Sequence, residues 1–122
     1  MGTHPANLAA RFLLEVSALA ILGLWGWHQR SDGFRPVLAL AIPVCGAVLW
    51  GTLAVPDDPT RSGSAPIPVA GVVRLLVECG FFAAAAWALY DLGFPQQTAV
   101  FVTVVVVHHA LSYDRIRWLL ER

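Results

Sequence analysis

Four long apolar stretches alternate with short polar connectors along this chain. They run from about Asn7 to Trp27, Pro36 to Val55, Val69 to Leu89 and Thr98 to Trp118. A membrane-spanning helix needs about 20 mainly apolar residues, and each stretch meets that length. A strand reading fails because the stretches are too long. The β-branched run at Val102–Val107 does not rescue it, since packing and burial override local propensity. The pattern predicts an all-α fold: an integral membrane four-helix bundle forming one domain over residues 1–122.

The connectors agree with this reading. His28–Arg35 and Asp91–Gln97 are tight polar turns. Pro36 suits the first position of a helix. The segment Pro56–Ala70 holds four prolines and no apolar period, so it is expected to be an irregular surface loop. Pro43 falls inside the second stretch and should kink that helix, leaving the Ala39 carbonyl without its helical donor. Trp25, Trp27, Trp50, Tyr90 and Trp118 lie near the ends of the stretches, as an interfacial aromatic belt would.

Composition narrows the class further. Hydrophobic residues make up 57% of the chain and charged residues 13%, against roughly 25% charged in a soluble domain. Net charge is zero, and every basic residue is Arg. No basic stripe exists, so nucleic acid is not an expected partner. Cys45 and Cys79 sit within apolar runs and are expected to be small buried residues, not a disulfide framework. No basic stretch precedes the first apolar run, so that run is expected to be retained as a span rather than cleaved as a signal.

The arginines also suggest an orientation. The termini and the long loop share one side, with Arg61, Arg115, Arg117 and Arg122, and with Arg11 and Arg74 at its edge. The other side has Arg30 and Arg35. Positive-inside bias then predicts a bacterial cytoplasmic membrane protein with both termini in the cytoplasm. A repeat is visible too: Arg11-Phe-Leu-Leu-Glu15 recurs as Arg74-Leu-Leu-Val-Glu78. Each copy opens a helix followed by a turn and a second helix, which suggests two repeated helical hairpins.

Charges within a span cost roughly 2.5–3.5 kcal/mol each, which makes them the informative residues. Arg11 and Glu15 share a helix face, as do Arg74 and Glu78. Helix four runs the opposite way and brings His108, His109, Tyr113 and Asp114 toward the same end. Glu15, Glu78 and the histidines are each about eight residues from a helix end, roughly 12 Å deep. They are therefore expected at one depth. His108 and His109 project about 100° apart, so one of them is expected to face the interior. The pattern predicts a polar site in which Glu15, Glu78, His108 and His109 do acid/base work. Arg11, Arg74, Trp50, Phe81, Phe82, Tyr113 and Asp114 would bind substrate. Paired Arg and Glu that only lock helices together are the competing reading. No metal or other cofactor is expected, because the Glu-x-x-His pairing of bundle metal sites is missing and two arginines would oppose a cation. Asp57 and Asp58 are expected on the solvated surface, as are His4 and His28.

The stretch Asn7-Leu-Ala-Ala-Arg-Phe-Leu-Leu-Glu15 resembles the YrdB family of small bacterial four-helix membrane proteins. So do Trp25-Gly-Trp27, Pro43, Leu49-Trp-Gly51, Pro56 and Arg74-Leu-Leu-Val-Glu78. The resemblance spans nearly the whole chain and implies the fold, with almost nothing about activity. The chain departs from the family pattern at His108-His109-Ala-Leu-Ser-Tyr-Asp114, where the family tends to carry Asn and apolar residues. Glu15 also resembles the membrane-embedded Glu of small multidrug resistance transporters, as an analogy. Three functions are therefore expected in competition. The first is a membrane-embedded isomerase or cyclase acting on a lipophilic substrate. The second is a proton-coupled transporter or lipophile binder. The third is a structural subunit. Lipid, a lipophilic small molecule and another copy of the chain are the expected partners.

Overall fold

The computed structural model describes residues 4–29, 31–58 and 65–122. Five helices follow in order: α1 (Pro5–Trp27), α2 (Arg35–Thr52), α3 (Gly71–Asp91), α4 (Pro95–Leu111) and α5 (Tyr113–Leu120). Between α2 and α3, β1 (Leu53–Ala54) pairs in parallel with β2 (Ile67–Pro68). Three helices are long and apolar enough to cross a membrane, and four spans result if α4 and α5 count as one broken span. Spans of this kind point to a membrane protein.

The starts and stops follow local chemistry. His4 caps α1 by accepting from the Ala6 N–H at 3.2 Å, and Pro5 occupies a position where a missing N–H costs nothing. Phe34 N–H donates to Asp32 Oδ1 at 3.1 Å in the turn before α2. Arg35 covers the far end of α1, donating to the Trp27 carbonyl at 2.9 Å and stacking over the Trp27 ring. Trp25 Nε1 donates to Asp91 at 2.9 Å and ties the same end of α1 to α3. His4 and His28 are both exposed, as expected.

Buried positions form helical stripes. On α3 these are Gly71, Arg74, Glu78, Phe82, Ala85 and Ala88, spaced three or four apart. On α1 they include Leu14, Ala18, Leu22 and Gly26. The apolar core joins Leu14, Ala18, Leu22, Phe82, Ala85, Ala88 and Phe101. Small residues let backbones approach closely. Gly26 lies against the Leu38 carbonyl, and a Cβ on Gly23 would stand 3.1 Å from the Ala39 carbonyl that Pro43 leaves without its helical donor. Outward faces are apolar as well: Phe12, Leu13, Leu40, Leu76, Val100 and Val106 are exposed, and α2 buries none of its residues. A water-soluble fold does not tolerate so much contiguous apolar surface.

Several expectations need correction. The fourth stretch is not one straight helix from 98 to 118. It bends by 69° between α4 and α5. Ser112 Oγ donates to the His108 carbonyl at 2.9 Å, and such back-bonding to the preceding turn favours bending. The second helix stops at Thr52, not Val55, because Leu53 and Ala54 leave it to pair with β2. The long connector is not wholly on the surface either. Asp58 is buried, and the Val69 N–H donates to the Ala54 carbonyl at 2.9 Å. Cys45 and Cys79 face outward. Of the arginines used to orient the chain, Arg30 and Arg61 lie outside the described residues.

Gly71 carries the contact that seats α5: its Cα meets the Leu119 backbone so closely that no side chain fits. Gly71→Ala should therefore displace α5 and destabilise the protein by about 1–3 kcal/mol. Gly80→Ala, with open space around it, should cost nothing. Equilibrium unfolding in detergent checks the pair.

Candidate functional site

Helices α1, α3, α4 and α5 bring polar side chains to the same end of the molecule. The α3 stripe sets Arg74 four residues before Glu78, and Arg74 Nε donates to Glu78 Oε1 at 3.0 Å. The same spacing on α1 lets Arg11 Nε donate to Glu15 Oε1 at 3.1 Å. Arg11 then reaches across with its Nη2 to Glu78 Oε1 at 2.9 Å. The bend at Ser112 swings α5 over this end and adds a third guanidinium. Arg115 donates from Nη1 to Glu78 Oε2 at 2.8 Å and from Nη2 to Oε1 at 2.6 Å. Its Nη2 also meets Asp58 Oδ2 at 2.7 Å.

Four N–H donors from three arginines thus surround one carboxylate, and Glu78 is the anion of the cluster. Its side chain is 2% exposed, against 23% for Glu15. Three guanidinium groups (Arg11, Arg74, Arg115) meet three carboxylates (Glu15, Asp58, Glu78), so the formal charges of these six side chains cancel. The end of α2 joins as well. Arg74 Nη1 donates to the Leu53 carbonyl at 2.9 Å and also to the Trp50 carbonyl. The Trp50 ring lies under two guanidinium groups, 4.6 Å from Arg74 and 5.3 Å from Arg11, where its π face attracts cations.

The histidines stand beside this cluster. His108 is buried at 7% exposure, and its Nδ1 has no hydrogen-bond partner among the described residues. Its backbone carbonyl is held through Ser112, whose hydroxyl accepts from Asn7 Nδ2 at 2.7 Å. His109 Nδ1 lies 2.9 Å from the Val105 carbonyl, an acceptor that calls for the proton on Nδ1, so that in the neutral ring the lone pair is on Nε2. The two rings are perpendicular, with centroids 5.4 Å apart. Both line a polar cavity of about 10 Å³ together with Arg11, Glu78, Ser112 and Arg115. The expectation that one histidine faces the interior holds: His108 is the buried one, whereas His109 is half-buried, although both reach the lining of the small cavity.

His109 also lines a second space. An apolar groove of about 570 Å³ runs between α3 and α4 past Phe82, Ala83, Phe101 and Val105, and His109 and Ile116 stand in its wall. His109, Phe82 and Ile116 line both the groove and the polar cavity. Phe82 meets His109 edge-on at 5.8 Å.

The structure brings together Arg11, Glu78, Trp50, Phe82, His108 and His109 around the small cavity. Arg74 and Glu15 adjoin it through their ion pairs, and Phe81 packs against Trp50 at 5.1 Å. Tyr113 and Asp114 are not brought in. They face outward on α5, beside Arg117 and Trp118. Arg115, Asp58 and Asn7 are the site residues that sequence reasoning missed. Asp58, expected on the surface, is 5% exposed. Nothing local distinguishes it from Asp57. Among the described residues, no three His, Cys, Asp or Glu side chains are grouped to hold a metal ion.

Fold and site together define a small helical protein with several membrane-length apolar helices and a buried Arg–Glu–Asp cluster beside paired histidines. The chain belongs to the family described as "Protein of unknown function (DUF2568)", which matches residues 9–106. It is 40% identical to the "Uncharacterized protein YrdB" of Bacillus subtilis (strain 168) over 119 residues, covering 98% of this chain and 97% of that one. The YrdB-family resemblance is thereby established. No solved structure matches.

Removing one partner of a buried ion cluster leaves the others uncompensated. Glu78→Gln should therefore lower stability by roughly 3–5 kcal/mol, while Glu15→Gln should cost about 1 kcal/mol or less. Unfolding titrations of the two variants side by side check the contrast.

Proposed function

We propose that the chain is a four-span membrane bundle of the bacterial cytoplasmic membrane, with both termini in the cytoplasm. We further propose that it is a membrane-embedded acid/base enzyme of isomerase or cyclase type. Its substrate is a lipophilic small molecule that enters the α3–α4 groove from the bilayer. The observation that carries this reading is the double placement of His109, which lines both the apolar groove and the polar cavity. A groove of about 570 Å³ is within the usual range for small-molecule sites. The 10 Å³ cavity is far too small for an organic substrate.

In this mechanism His109 Nε2 takes a proton from the substrate or stabilises charge developing on it. Phe82 and Phe101 shape the groove, and their π faces favour positive charge on a hydrocarbon. Glu78 does not serve as the acid. It holds three guanidinium groups in place beside the imidazoles, so the proton work falls to His108 and His109. A lipophile binder without chemistry is the second reading. It is favoured by another apolar groove of about 690 Å³ along α1 and α4, whose walls contain Gln96 and Gln97 but no titratable side chain.

Proton transfer leaves a mark in heavy water. Purified protein in nanodiscs, incubated in D₂O with bacterial lipophile extracts, should place deuterium on carbon in one component. His109→Gln should reduce the rate by about 10²–10⁴-fold. Ala83→Phe, which fills the groove, should also suppress it, and Glu15→Gln should leave it nearly unchanged. No deuterium in any extract, with the fold intact, would defeat the enzyme reading. A lipophile retained in native mass spectra and lost in Ala83→Phe would then support the binder.

A further inference from the structure

The small cavity has a composition that its size makes specific. Its volume is about 10 Å³, close to the roughly 10–15 Å³ that one water molecule needs. Arg11, Glu78, His108, His109, Ser112 and Arg115 supply its polar lining, and a buried water needs about two to four polar partners. One of those side chains is itself incomplete. His108 is 7% exposed, and its Nδ1 has no partner among the described residues. An imidazole nitrogen buried without a hydrogen bond is destabilising, so a ligand that completes it is favoured.

We infer that this cavity is a binding site for a single water molecule, held by His108 Nδ1 and the polar groups around it. Water is the ligand whose size and chemistry both fit, since it can donate to or accept from an imidazole nitrogen. Its place in a cavity lined by both histidines gives it a use, which rests on the acid/base reading proposed above. The α3–α4 groove is apolar, so a proton gained or lost there must be exchanged elsewhere. The water accepts a proton from protonated His109 Nε2 through one lone pair while releasing one of its own to the unpartnered His108 Nδ1. Charge moves from one imidazole to the other, and the water molecule is regenerated. His109 is thus returned to its neutral form without opening the groove to solvent.

Water-edited solid-state NMR of the full chain in lipid bilayers, with ¹⁵N-labelled histidine, tests the site directly. Magnetisation starting on water should reach His108 Nδ1 and give a cross peak, assigned by its loss in His108→Gln. The peak should weaken or vanish in Ile116→Phe, which fills the cavity, while the signals of exposed His4 and His28 persist. A wild-type His108 Nδ1 with no water cross peak, alongside normal peaks for His4 and His28, overturns the inference. The wild-type measurement decides the matter even if Ile116→Phe fails to fold. It is also independent of catalysis. A cross peak without deuterium transfer to any lipophile retains the water site and rejects the enzyme, and deuterium transfer without a cross peak does the reverse.

Discussion

The structure depends on one carboxylate. Glu78 accepts hydrogen bonds from Arg11, Arg74 and Arg115, and those arginines come from α1, α3 and α5. Arg74 extends the set to the end of α2, and Arg115 to the segment after β1. Removing such charges from water is expensive, and their mutual attraction offsets that cost only with good geometry and complete hydrogen bonding. A partial cluster is therefore worse than none. That condition works as a registration device, because helices that slide past one another break several ion pairs at once. The apolar core alone supplies little of this register, since much of it is Ala and Leu facing surfaces that are apolar on all sides.

The bend at Ser112 is the second constraint, and it follows from the first. A straight continuation of α4 would carry Arg115 away from Glu78. Turning by 69° lays α5 across the end of the bundle, seats Leu119 against Gly71 and closes the polar cavity with Ser112, Arg115 and Ile116. The cost of the turn is small because Ser112 satisfies the His108 carbonyl with its own hydroxyl and receives a bond from Asn7. The side chains of the last turn of α4 are thereby fixed just where the two histidines stand.

The same geometry separates two environments that share a wall. On one side of His109 is a charge-rich cavity of one-water size, and on the other an apolar groove large enough for an organic molecule. α4 is lightly seated, with Phe101 and His108 as its buried residues, and apolar grooves flank it on both sides. Phe101 lines both grooves. The helix is thus held at its histidine end, through Ser112 and Asn7, and along its length by one aromatic ring.

The amino-acid pattern by itself determined the helices. Apolar length and turn residues place α1, α2 and α3 to within a few positions, and Arg and Glu four apart on α1 and α3 announce two ion pairs that the structure contains. These features are local, because periodicity and reach along one helix need no knowledge of neighbours. The tertiary structure alone decided the rest. It turned the fourth stretch at Ser112 and drew Asp58 out of a proline-rich connector. It also made Arg115 a partner of Glu78 and left Tyr113 and Asp114 outside. Asp57 and Asp58 are alike in sequence, and so are Arg115 and Arg117. Which of each pair is buried depends on a bend and a chain crossing set by the need to complete one charge cluster in an apolar surrounding, and that need is a property of the assembled helices.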